Sequence, residues 1–387
     1  MKYALIDRFL QIRNHSVKIC EPLQIEDYVA QPIVDVSPPK WHLAHTTWFF
    51  ETFILKMSSE YDVFDEQFNF LFNSYYNNIG DRVARHKRGD ITRPGVERIL
   101  DYRSHVNEQM VLFMEHLTST EFDKWKPVIE LGLQHEQQHQ ELLWSDLKYI
   151  LGASPIFPVY ADVNPIDVDH EKDSMAFISI KEGIYDIGFN GDGFCFDNEL
   201  GAHKVFVHDF EIADSLVSNR EFMEFVDSGA YQDFNLWHDE GWKWVQENGI
   251  DSPLYWRHIN GGWFDFSLTG LEEIDLDRAV SHISFYEAWA YAEWKGLRLP
   301  TEFEWEIASN KFEWGHRWEW TNSAYLAYPG FKKAEGAIGE YNGKFMINQM
   351  VLRGASVATS PDHSRNTYRN FWNAQNQSQF TGIRLAK

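Results

Sequence analysis

Through the first part of the chain, apolar residues return every three or four positions, the period of a helix with one buried face. Leu5, Ile6, Phe9, Leu10 and Ile12 mark one such stretch. Ser37-Pro38-Pro39 reads as the cap and first turn of a second, which runs from Trp41 through Phe49 and Phe53 to Leu55. Val96, Ile99, Leu100, Val106, Met110, Phe113, Met114 and Leu117 mark a third, entered through Arg93-Pro94-Gly95. A fourth is expected to open at Pro127, continue through Ile129, Leu133, Leu143 and Leu147, and stop at Gly152. Four amphipathic helices predict a helical bundle over residues 1–152. The connection from Ser58 to Pro94 is too long for an idle loop and is read as functional.

The pattern then changes. Residues 153–175 are rich in Pro and Asp and read as a linker. Over 176–387 the apolar runs are short and alternating, as in Phe177–Ile180 and Val205–His208, which predicts strands. Three capping boxes announce short helices: Ser218 with Glu221, Ser284 with Glu287 and Thr301 with Glu304. Gly229 and Gly296 are placed to end the first two. After Glu306 the chain is glycine- and aromatic-rich with little periodicity. The whole is expected to be α+β: a bundle followed by an irregular mixed domain.

The fourth helix carries the most informative spacing. His135 and His139 are four residues apart and share a helix face, which suits two imidazoles on one metal ion. A third ligand is needed. His42 and His45 lie on the second helix of the same bundle. Either can reach the pair and spacing alone does not choose, while the other is expected at the surface. His135-Glu136-Gln137-Gln138-His139 also fits the H-E-x-x-H pattern of zinc hydrolases, in which the glutamate is a general base.

Composition narrows the partners. The formal net charge is −23 over 387 residues, which argues against nucleic acid or an anionic membrane surface as partner. Against that background the basic run from Arg82 to Arg88 stands out. It includes Arg85 and invites a small anion such as a carboxylate, with Lys87 expected in solvent. Tyr75 and Tyr76 precede it and are candidate proton donors. Asn370 and Phe371, between Arg369 and Trp372, can hold a quaternary ammonium through an amide and a ring face. There are 2 cysteines, Cys20 and Cys195, far apart in sequence, so neither a disulfide framework nor a cysteine zinc site is expected. Asp7 and Arg8 interrupt the apolar start, no long apolar run follows, and the expected compartment is the cytoplasm.

On these residues the chain resembles the ergothioneine-biosynthesis sulfoxide synthases. These join an N-terminal DinB-like four-helix bundle to a C-terminal domain like the formylglycine-generating enzymes and C-type lectins. Trp41-His42-Leu43-Ala44-His45 is similar to the family's first ligand motif, which selects His45. His135 and His139 match the other two ligands. Gly296-Leu297-Arg298-Leu299-Pro300-Thr301-Glu302-Phe303-Glu304-Trp305-Glu306 resembles the signature of the second domain. Trp318–Thr321, Val351–Ser356 and Gly382–Leu385 continue it.

The resemblance implies an iron(II)- and O2-dependent enzyme of cytoplasmic small-molecule metabolism. Its substrates would be Nα-trimethylhistidine (hercynine), a cysteine-type thiol and O2. It implies Tyr75 and Tyr76 as catalytic tyrosines and Arg85, with Arg82 beside it, at the thiol. It implies Gln138 at the histidine carboxylate, and Asn370 and Phe371 around the ammonium group. Trp372 stands where members using γ-glutamylcysteine carry an acidic residue, which favours cysteine. Ala355 and Val357, and Gln377–Phe380, depart from the cysteine-using branch. An ovothiol- or selenoneine-type synthase is the alternative within this class. A zinc hydrolase and a non-catalytic lectin-like module are the alternatives outside it. Formylglycine formation needs a reactive cysteine pair, and only Cys195 lies in this domain.

Overall fold

The computed structural model describes residues 2–74, 80–166, 175–333 and 342–387. The chain forms two compact units, the first running to Asp162 and the second starting at Val163.

In the first unit the long helices are α1 (Lys2–Cys20), α2 (Pro39–Phe53), α4 (Val96–His116) and α5 (Ser119–Gly152), with a short α3 (Phe68–Phe72) in the α2–α4 connection. Pro39 stands at the start of α2, where its missing N–H costs nothing. The expected start of α5 at Pro127 is too late. A capping box of Thr118 and Glu121 opens this helix at Ser119, and Pro127 lies inside it. Pro127 removes the bond that the Asp123 carbonyl would accept, at a place where both residues are exposed.

Helix α2 is buried on every side from Pro39 to Glu51. Its charged residues are partnered within the bundle. Lys40 Nζ donates to the carbonyls of Ile91 (2.7 Å) and Pro94 (2.9 Å). Glu51 accepts from Tyr61 (2.7 Å) and Tyr102 (2.6 Å). Phe49 and Phe50 pack where Gly132 opens α5: a Cβ there would stand 2.6 Å from the Phe50 ring. The glycine lets the two helices come close one turn before His135. Beyond α5, Tyr160 of the expected linker packs edge-on against Trp144 and donates to the Ile19 carbonyl at 2.8 Å.

The second unit is built from small sheets. β1 (Phe177–Ile180) pairs with β4 (Phe210–Ala213), and β2 (Gly183–Ile187) with β3 (His203–Val207), both antiparallel. β5 (Trp256–Ile259), β6 (Gly262–Ser267) and β7 (Gly270–Glu273) form a meander. A four-stranded sheet has the order β10 (Asn370–Trp372), β9 (Met350–Gly354), β8 (Trp318–Ala324), β11 (Thr381–Gly382), with β11 parallel to β8. The three expected capping boxes open α6 (Asn219–Asp227), α8 (Phe285–Trp294) and α9 (Glu302–Ala308). Between α6 and α8 lies α7 (Asp239–Asn248).

The signature around α9 is scaffold. Arg298 grips Glu304 with two bonds (2.8 and 2.7 Å), Glu302 holds Arg369, and Glu306 holds Arg353. Trp305 Nε1 donates to Glu319, which also binds Arg384. These buried pairs cross the sheet and set β10, and with it Asn370 and Phe371. Among the described residues no helix is long and apolar enough to cross a membrane.

Candidate metal centre

Two helices of the bundle bring four imidazoles together. His42 and His45 are three residues apart on α2, and His135 and His139 are four apart on α5, so each pair lies on one helix face. The expectation that one of the α2 histidines is at the surface is wrong. Both are buried, because α2 has no solvent face.

His45, His135 and His139 each offer one ring nitrogen, and these three atoms lie within 4.8 Å of one another. Their ring centroids are 4.7 to 5.0 Å apart. His45 Nδ1 donates to the Phe72 carbonyl at 2.6 Å, which leaves Nε2 with a free lone pair. The buried Nδ1 of His135 has no hydrogen-bond partner among the described residues. Trp41 and Trp48 stack on the two sides of His45, at 4.5 and 5.5 Å. The Arg88 guanidinium lies 3.4 Å above the far ring of this stack, Trp41.

Burial disfavours the charged imidazolium, and neighbouring positive groups add to that. His135 is pushed down to about 4. His45 and His139 are held well below the usual histidine range, first by desolvation and then by each other's neighbours and Arg88. Three neutral, convergent imidazoles with lone pairs to spare are a fitting donor set for iron, zinc or copper. A protonated cluster would not be.

Glu136 does not fit the role of a hydrolase base. It points away from the imidazoles into a buried cluster. Arg13 donates to one carboxylate oxygen (2.8 Å), and Ser16 (2.6 Å) and Arg103 to the other. Burial would raise this carboxyl, but Arg103 and Arg13 overcome it and hold it down to about 2.

The remaining candidates fall in separate places. Gln138 lies on α5 and is half-buried. Arg85 turns to Asp35, donating to its carbonyl at 2.8 Å, with its own Nε buried and unpartnered. Arg82 is exposed and lines an open groove with Phe70, Val83, Lys87 and Arg93. Tyr75 and Tyr76 lie outside the described residues. Asn370 pairs with Leu352 across β10 and β9, and Phe371 stacks on Tyr325 at 4.1 Å.

Sequence reasoning missed Arg88, which looks like part of a solvated charge run. It is buried, donating to Ser37 and Ser74 (both 2.8 Å). It also missed Asp146, which accepts from His42 at 2.9 Å. No local spacing announces either.

Comparison with known proteins matches residues 8–143 to the DinB superfamily and residues 165–317 to the sulfatase-modifying factor enzyme 1-like domain. The hercynine oxygenase of Mycobacterium tuberculosis is 29% identical over 67% of this chain and 71% of its own length. That of Mycolicibacterium thermoresistibile is 31% identical over 50% of this chain and 54% of its own. Over about two thirds of its length this chain is similar to the hercynine oxygenases. The expected α+β architecture, a DinB-type bundle followed by a formylglycine-generating-enzyme-like domain, is the one the family models assign. The Streptomyces coelicolor formylglycine-generating enzyme is 30% identical over 34% of this chain and 45% of its own length.

Proposed function

We propose that this protein is a non-haem iron(II)- and O2-dependent sulfoxide synthase. It joins a cysteine-type thiol to the imidazole carbon of hercynine that lies between the two ring nitrogens. The observation that carries this reading is the convergent cluster of His45, His135 and His139 in a chain similar to the hercynine oxygenases. The atoms balance simply: the imidazole C–H and the thiol S–H are lost, a C–S bond forms, and O2 supplies one oxygen to sulfur and one to water.

Iron(II), held by the three imidazoles, would supply the electron transfer that lets O2 react with a thiolate. The chain's own groups do the rest. The stacked indoles and the Phe72 carbonyl fix His45. Arg85, with a buried unpartnered Nε, is suited to a thiol carboxylate, with Arg82 nearby in sequence. Gln138 is assigned to the carboxylate of hercynine, and Asn370 with Phe371 to its ammonium group.

Tyr75 and Tyr76 are assigned as proton donors. The chain on both sides of them is tethered: Phe72 accepts from His45, Ser74 accepts from Arg88, and Asn73 donates to the Gly80 carbonyl at 3.2 Å. These bonds fix Phe72, Asn73 and Ser74, which precede the pair, next to His45 and Arg88. A phenol hydroxyl there can deliver a proton during oxygen chemistry. Replacing both tyrosines with Phe is expected to retain metal and shift the product from C–S coupling to thiol oxidation. An unchanged product ratio and rate would end the proton-donor role.

The test of the whole reading is oxygen uptake by the iron-loaded protein with hercynine and a panel of thiol and selenol donors. Consumption is expected to require both partners, with cysteine the best donor. Single replacements of His45, His135 and His139 by Ala should each remove most bound iron. Full iron retention in all three variants, or no hercynine-dependent uptake, would overturn it.

A further inference from the structure

We propose that His42 and Asp146 are positioning residues that set the tautomer and aim of His139 for its metal ion. This rests on the reading of His45, His135 and His139 as one metal site. The geometry is a chain of three side chains. His139 Nδ1 and His42 Nδ1 are 2.8 Å apart, and His42 Nε2 is 2.9 Å from Asp146 Oδ2. The same Oδ2 accepts the backbone N–H of Ser37 at 2.8 Å. His42 and Asp146 are both buried. Asp146 stands seven residues after His139, on the same face of α5, and His42 stands three before His45, on the same face of α2.

The order of protons follows from the end of the chain. A carboxylate only accepts, so the proton between Asp146 and His42 sits on His42 Nε2. Neutral His42 then offers a lone pair at Nδ1, and His139 donates its Nδ1–H to it. That leaves the lone pair of His139 on Nε2. A metal ligand held this way is fixed in rotation and made more basic by the partner behind it. The three ligands thus differ. His45 is held by a backbone carbonyl, His139 by His42 and Asp146, and His135 has no partner at Nδ1 among the described residues. This gives the second histidine of α2 a function distinct from ligation.

The test uses the full chain, stripped of metal, with Co(II) as the probe. Its visible d–d absorption reports both affinity and geometry. Wild type is compared with His139→Ala, His42→Phe, Asp146→Asn and the His42→Phe/Asp146→Asn double variant. The metal-free forms are melted in parallel. Asp146→Asn keeps an acceptor oxygen and removes the charge, so its metal-free melting should stay close to wild type. His42→Phe is expected to weaken Co(II) binding about 10- to 100-fold and to alter the d–d envelope. Asp146→Asn should give a smaller loss, and the double variant should be no worse than His42→Phe, because the two act in series.

Folded variants with wild-type Co(II) affinity and spectrum would overturn the proposal, as would losses that simply add. A lowered melting point with unchanged Co(II) binding would show a purely structural role. If His42→Phe does not fold, Asp146→Asn decides alone: a raised Co(II) Kd supports the relay and an unchanged one refutes it. Failure of the metal site itself looks different. Wild type would then bind no Co(II), or His139→Ala would bind it as well as wild type, and both readings would fall together.

Discussion

Glu136 meets Arg13, Ser16 and Arg103 with both of its carboxylate oxygens, all inside the bundle. The same residue completes an H-E-x-x-H pattern, yet its side chain serves α1 and α4 rather than the imidazoles. A residue pattern names only what is near in sequence, and here the partners are 33 to 123 positions away. The i, i+4 histidine pair was legible because helical periodicity itself puts the two rings side by side. The third histidine was legible as one of two. Arg88 was not, because a buried arginine in a charge run has the same letters as a solvated one. Breaking one member of a buried ion cluster leaves uncompensated charge and costs about 3–5 kcal/mol. Glu136→Gln is therefore expected to lose about that much stability, read as the urea midpoint of the metal-free protein. Loss of turnover in this variant should track loss of fold. A fully stable variant that binds iron and is dead would restore the base reading.

At the scale of elements, the four long helices were readable from their apolar period, and the three capping boxes from their side chains alone. The start of α5 was misread because Pro127 is a stronger signal by eye than Thr118 with Glu121, though the latter supplies the actual bonds. The last sheet was not readable at all. In β8, Trp318, Glu319, Trp320 and Thr321 are all buried, so no alternation of polar and apolar residues marks the strand. Buried Glu319 is tolerated only because Arg384 and Trp305 come to it from far along the chain. The meeting of α2 and α5 depends on one missing side chain. A Cβ on Gly132 would stand 2.6 and 2.8 Å from the Phe50 ring and 3.0 Å from Phe49. Gly132→Ala gains helix propensity but forces the helices apart, and overpacking of this kind costs about 1–3 kcal/mol. It is expected to lower both stability and metal affinity, since His135 follows one turn later. A variant more stable than wild type with undiminished Co(II) affinity would show that the rings give way at no cost.

Across the whole molecule, the groups whose protonation most separates the folded from the unfolded chain on mild acidification are the histidines the fold holds neutral. His135 sits at about 4 against an ordinary 6.5, and His45 and His139 are held well below it, in each case mainly by desolvation. Their folded pKa values lie below the unfolded ones, so the unfolded chain binds more protons as pH falls. The stability they contribute is fully present above about 6.5 and is lost as pH drops through the folded values. Glu136 has the same sign at lower pH: held at about 2, its contribution is complete above 4.5 and lost toward 2. Two groups oppose this. Burial raises the carboxyls of Glu287 and Asp197, which favours the fold on acidification, but only where carboxylates titrate. The net charge of −23 also opposes it, because acid relieves self-repulsion. Salt near 0.15 M confines that term to about 8 Å. Between pH 7 and 5 the histidines therefore decide the sign. Urea unfolding of the metal-free protein in that salt is expected to show stability falling steadily across this window. The metal-loaded protein should fall in parallel across this window, because a folded site held at about 4 or below gives up its metal to protons only at lower pH. A metal-free stability that is flat or rising from pH 7 to 5 would mean that the imidazoles are not held neutral by the fold, and would remove the electrostatic basis for a preformed metal site.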